Sequence, residues 1–180
     1  FIVFRFFFLE HQVGLKDPAK ISAAVALGVL INTIVLVIFA KIGGWLSDKT
    51  SNRKGFVIVS TAIFAVGIGM LSITHTLPMF YTVEAIMGLG YGIYVAVDTA
   101  LVVDVLPNPE DSAKDLGVLN IANALPQSLA GGVGAFLLGI GGGLTNYPAL
   151  FIGSFVFAML GALAIRPVRN AIRKRAGKHK

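Results

Sequence analysis

The chain has 180 residues, 56% of them hydrophobic and 13% charged, with a mean hydropathy of +0.81 and a net charge of +6. An ordinary soluble domain carries about 25% charged residues, and a core of this size has no room for so much apolar surface, so lipid must be the solvent for most of it. Cysteine is absent, which excludes a disulfide framework, a thiol nucleophile and a thiolate metal site. The histidines His11, His75 and His179 fall at loops or in the tail with no ligand spacing. Neither a metal nor another cofactor is expected, and no nucleophile–base constellation stands in the apolar runs, so an enzyme is the reading the composition supports least.

In chain order, residues 1–10 form an apolar run too short to span a bilayer, read as the outer end of a helix that starts upstream; the polypeptide is expected to be a fragment. Residues 10–20 make an outside loop, with Asp17-Pro18 a natural start for the next helix. Full spans are predicted over about 21–42, 55–75, 77–105, 116–141 and 149–166. Pro78 sits in the first turn of the 77–105 helix, Pro126 interrupts the 116–141 helix, and glycines 141–143 with Asn146 make an outside turn. Residues 1–166 are thus expected to form an all-α membrane bundle of six helices, the first truncated, followed by a basic tail over 167–180. Of the 15 basic residues, all but Arg5, Lys16 and Lys20 lie on one side of this arrangement. That asymmetry is the positive-inside pattern; it argues against nucleic acid as a partner and puts the tail in the cytoplasm, within reach of anionic membrane lipid.

Residues 43–54 read GGWLSDKTSNRK, a short charged stretch between two uncharged runs. Its pattern Gly44-x-x-x-Asp48-Lys49-x-x-x-Arg53-Lys54 resembles the signature loop of the major facilitator superfamily of transporters. A small residue there lets two helix ends approach, the acid is held by a helix terminus or a base, and the basic residues bridge to a neighbouring helix. Ser51 and Asn52 replace the usual glycine and its neighbour, so a looser turn is expected. The plainer reading is a positive-inside loop with no further role. The resemblance implies the carboxy-terminal six-helix half of a twelve-helix transporter, whose partners are an amino-terminal half encoded upstream, a small solute and a coupling cation.

Charges inside a bilayer face a cavity or a partner. The 77–105 helix holds Glu84, Asp98 and Asp104. At 100° per residue, Glu84, Gly88, Tyr91 and Asp98 fall within about 80° of one another. Glu84 and Asp98 are candidates for binding a proton, a cation or a hydroxylated substrate, weighed against a purely packing role. Arg5 is a candidate partner for Glu84 or a substrate contact, and snorkelling to the interface is the alternative. Asp104 is expected to pair with Arg53 or Lys54 and latch the conformational-gate loop. Asn32 reads as a packing amide.

In the 116–141 helix, Asn120, Asn123 and Gln127 fall within about 60° of one another. Their amides offer donors and acceptors suited to sugar hydroxyls, against an interhelical amide ladder as the bland reading. The run GVLNIANALPQ is similar to the corresponding helix of sucrose–proton and related glycoside–cation symporters. This resemblance implies a sugar or glycoside carried by alternating access on a proton or sodium gradient across the plasma membrane. Within the same superfamily, a drug or metabolite exporter is the alternative, favoured by an aromatic rather than amide-lined cavity. A non-transporting sensor or scaffold is the alternative outside it.

Overall fold

The computed structural model describes residues 5–50, 52–105, 112–143 and 146–164. All regular elements among them are helical: α1 (Arg5–His11), α2 (Pro18–Thr50), α3 (Arg53–Met70) with a 3-10 turn at Leu71–Ile73, α4 (Leu77–Val105), α5 (Ser112–Gly139) and α6 (Tyr147–Ala164). By length and composition, α2, α3 with its 3-10 turn, the Leu77–Asp98 part of α4, and α6 can each cross a membrane. α5 carries a shorter apolar run, Ala124–Gly139.

Local chemistry sets the helix ends. Asp17 Oδ1 accepts the Ala19 amide at 2.9 Å, so its carboxylate caps α2 and Pro18 occupies the first helical position, where no amide is needed. Between α5 and α6, Gly141, Gly142 and Gly143 all have φ between 85° and 95°, a left-handed run that side chains disfavour. Asn146 closes that turn from both directions: Nδ2 donates to the Ile140 carbonyl at 2.9 Å, and Oδ1 accepts the Ala149 amide at 3.0 Å.

Two helices depart from the expected bounds. The stretch over 43–54 is mostly helix rather than loop, because α2 continues to Thr50 and α3 begins at Arg53. The Asn52 side chain caps α3 by accepting the Gly55 amide at 3.3 Å. Asn52 thus supplies the N-cap of α3. Likewise α5 runs on through Pro126 instead of breaking there. The loop over 106–111 and the tail lie outside the described residues.

α4 is the central element, packed on α2 along one side and on α3 along the other; α6 lies on the far side of α3, and α5 touches chiefly α6. Glycine spacing on α4 explains the two close crossings. A Cβ at Gly88 would stand 2.5 Å from the Asn32 carbonyl oxygen, and one at Gly92 2.4 Å from that of Leu36, so α2 lies directly on the α4 backbone. Gly90, on the opposite side, meets the backbone of Phe64 and Ser60 in α3. Membrane helices lack a hydrophobic drive toward one another and associate through such close contacts. At the end that carries α1, Phe8 seals the bundle. Its ring lies 5.3 Å from Phe151, 6.1 Å from Tyr147 and 6.2 Å from Phe80, and Phe8 itself is 0% exposed.

Candidate functional site

Just beneath this aromatic layer, Arg5 and Glu84 meet. Arg5 Nε donates to Glu84 Oε1 and Nη2 to Oε2, each at 2.7 Å, with the side chains 8% and 0% exposed. The parallel two-bond fork is the strongest geometry open to these groups. Asn32 adds a third contact, donating from Nδ2 to the Glu84 carbonyl at 3.0 Å. Thus α1, α2 and α4 are tied at one level of the bundle. Of the three readings of Arg5, the structure shows the ion pair; Glu84 is held by it and does not reach solvent.

The four residues predicted to share one face of α4 part company. Glu84 and Gly88 lie against α1 and α2, whereas Tyr91 is 44% exposed and Asp98 is half-buried. The stripe follows the seam between α2 and α3, so one end is covered by α1 and the other opens. In the open part, Tyr91 stacks on Tyr94 with ring centroids 6.3 Å apart and planes at 16°, and Phe64 of α3 approaches Tyr91 at 5.9 Å. Asp98 stands one turn beyond Tyr94 on the same helix. These rings, Thr61 and Gly161 line a cleft of about 360 Å³ floored by α3 between α4 and α6. The Thr61 hydroxyl is buried there, with no hydrogen-bond partner among the described residues.

A second cleft of about 440 Å³ lies among α3, α5 and α6, lined by residues including Pro126, Leu129, Val133, Leu137, Phe151 and Phe157. Gln127, the next residue on α5 after Pro126, is exposed. The side chains of Asn120, Asn123 and Asp104 lie outside the described residues, so the amide face and the latch to Asp104 are not placed. Phe64, Tyr94 and Thr61 were not singled out from the sequence. Their signal is the matched i, i+3 spacing of Thr61 with Phe64 on α3 and Tyr91 with Tyr94 on α4.

In the 43–54 segment, Arg53 Nη2 donates to Asp48 Oδ1 at 3.1 Å across the α2–α3 turn. The small residue of the motif does not make the tightest contact. A Cβ at Gly44 would sit an ordinary 3.7 Å from Ala96, whereas one at Gly43 would meet Ile93 at 2.9 Å. The close approach of α2 to α4 therefore falls one residue earlier than the motif suggests. The acid, in turn, is held by a base from the following helix.

Comparison with known proteins agrees with this architecture. Residues 9–180 match the Major Facilitator Superfamily. The chain is 25% identical over 158 residues to the quinolone resistance protein NorA of Staphylococcus aureus (strain MRSA252), covering 88% of this chain and 40% of that protein. It is 29% identical over 111 residues to the uncharacterized MFS-type transporter YfiU of Bacillus subtilis (strain 168), covering 62% and 21%. With the dipeptide and tripeptide permease A of Erwinia pyrifoliae it shares 24% identity over 95 residues, covering 52% and 18%. The chain thus spans less than half the length of each of these relatives. No solved structure matches it significantly. The helical bundle, the acid–base pair at the α2–α3 turn and the match over nearly the whole chain place it: this chain belongs to the major facilitator superfamily.

Proposed function

We propose that this chain is the carboxy-terminal half of a secondary active exporter of apolar or amphipathic compounds. It works by alternating access against an amino-terminal half, driven by a proton or sodium gradient. The observation that carries this reading is the lining of the two clefts: aromatic rings and aliphatic side chains make up nearly all of it. Such surfaces bind apolar solutes by burial and ring contact, whereas a sugar needs a ring of hydrogen-bonding groups. The similarity to a quinolone resistance protein over 88% of the chain supports the same choice. The glycoside reading rests chiefly on α5, on its amides and on the resemblance of its GVLNIANALPQ run.

In this mechanism the α4 glycines that seat α2 and α3 hold the half together as a rigid unit, and the Asp48–Arg53 pair clasps the α2–α3 turn as that unit rocks. The test is dye accumulation in an efflux-deficient bacterial host expressing the whole gene product that contains this chain. An energised culture should hold several-fold less of a fluorescent amphipathic dye than the empty-vector control, and a protonophore should abolish the difference if the coupling ion is a proton. Unchanged dye levels together with uptake of radiolabelled sucrose would overturn the exporter reading in favour of the sugar symporter.

A further inference from the structure

α2 is 33 residues long, about 50 Å at 1.5 Å per residue, against a hydrocarbon layer of about 30 Å. Its last two to three turns must therefore stand in the headgroup region. There Lys41, Trp45 and Lys49 recur at intervals of four, within about 80° of one another. They lie on the side of α2 turned away from Gly43, which is pressed against Ile93 of α4. Trp45 is 63% exposed, and Lys49 Nζ sits over its ring, 5.1 Å from the centroid. Both lysines are exposed, and among the described residues neither is ion-paired. Below Trp45 the same side of the helix continues with exposed Ile38, Ile34 and Leu27.

We infer that Lys41, Trp45 and Lys49 form a binding site for one anionic phospholipid. Its phosphodiester lies between the two ammonium groups, and an acyl chain runs down Ile38, Ile34 and Leu27. Three features favour a lipid over a protein occupant. The apolar track and the cationic head succeed one another at the depth where an acyl chain gives way to a headgroup. The indole lies at the interface, where an aromatic ring with one polar edge is most stable. The charge on the site is positive, and among the described residues no acid pairs with either lysine. A cation stacked on an exposed indole is held over the ring face, which presents its remaining donors to a phosphate.

Trp45 is the only tryptophan of the 180 residues, so it reports on its own surroundings. The whole gene product is reconstituted in phosphatidylcholine nanodiscs containing about 5% of either bromine-labelled phosphatidylglycerol or bromine-labelled phosphatidylcholine. The Trp45 signal is the difference between the parent and Trp45→Phe. Phosphatidylglycerol should quench this signal as if enriched about fivefold or more at the site, and each of Lys41→Gln and Lys49→Gln should cut the enrichment about fivefold. Lys20→Gln, at the other end of α2, should leave it unchanged. Equal quenching by the two lipids, or a preference that survives the double lysine variant, would overturn the site. So would the absence of quenching by either lipid, which would place Trp45 against protein. None of these readings depends on what the transporter carries.

Discussion

Arg5 of α1 and Glu84 of α4 form a buried two-bond ion pair, 79 residues apart in sequence and 2.7 Å apart in space. Removing one partner strands a charge in a low-dielectric interior, at a cost of about 3–5 kcal/mol, whereas replacing both with apolar groups of similar volume is often neutral. Arg5→Gln and Glu84→Gln should each lower the melting temperature of the detergent-purified protein markedly, and Arg5→Met/Glu84→Leu should recover most of the loss. If the double variant retains stability but loses dye efflux, the pair has a role in transport beyond packing. If both singles melt like the parent, the pair contributes nothing to the fold.

The α2–α4 crossing depends on the bare backbone at Gly88 and Gly92. The nearest atoms to an added methyl are backbone carbonyl oxygens at 2.5 and 2.4 Å, which cannot turn aside as a side chain can. Gly88→Ala and Gly92→Ala should each destabilise by about 1–3 kcal/mol through overpacking. Gly132, in α5, has nothing within 4 Å of an added Cβ, so Gly132→Ala should be neutral or stabilise by up to about 1 kcal/mol through helix propensity. Thermal unfolding of the three variants side by side separates the two classes. Similar behaviour of all three would mean that α2 and α4 do not cross this closely.

At the α2–α3 turn, the cap matters more than the exposed ion pair. Asn52→Ala removes the acceptor for the Gly55 amide and should cost about 1 kcal/mol, with Asn52→Gly much closer to neutral. Asp48 is 65% exposed in its pair with Arg53, so Asp48→Ala should cost less than about 1 kcal/mol of stability. A loss of efflux in Asp48→Ala at near-normal stability would assign the acid to the conformational cycle. A loss of stability larger than that of Asn52→Ala would make it a structural residue.

The aromatic cleft gives the substrate prediction. Phe64→Ala and Tyr91→Ala each remove one ring from a set of contacting rings, and aromatic contacts are worth about 0.5–1.5 kcal/mol beyond area. Each should therefore raise the dye concentration for half-maximal efflux several-fold while leaving membrane expression intact. Tyr94→Phe, which keeps the ring and drops only the hydroxyl, should resemble the parent for uncharged dyes. Unaltered efflux in both alanine variants would remove this cleft from the substrate path.

The membrane character of the chain and most of its helices were legible because they are one-dimensional properties. A charge-free run of sufficient length crosses lipid whatever it packs against, and Asp17-Pro18 or glycines 141–143 set their ends through local hydrogen bonds and dihedral angles. The glycine–acid–basic pattern over 43–54 identified the superfamily before any contact was known. What that pattern did not reveal was that most of the segment is helical. The Gly55 amide, donating to the Asn52 side chain, starts α3 within that segment.

Relationships between helices were decided by tertiary structure alone. Periodicity placed Glu84, Gly88, Tyr91 and Asp98 on one face of α4, but it carries no information about where neighbouring helices begin and end. Only the fold shows that α1 covers the Glu84 end of the stripe and leaves Tyr91 exposed. The same holds for Gly43, whose contact with Ile93 depends on how α2 crosses α4, and for Phe64 and Thr61, whose partners lie on other helices. Sequence determined that this chain would live in lipid and where its helices run, since lipid acts on each segment separately. The structure decided which charges are paired and which clefts stay open, since those depend on how whole helices cross.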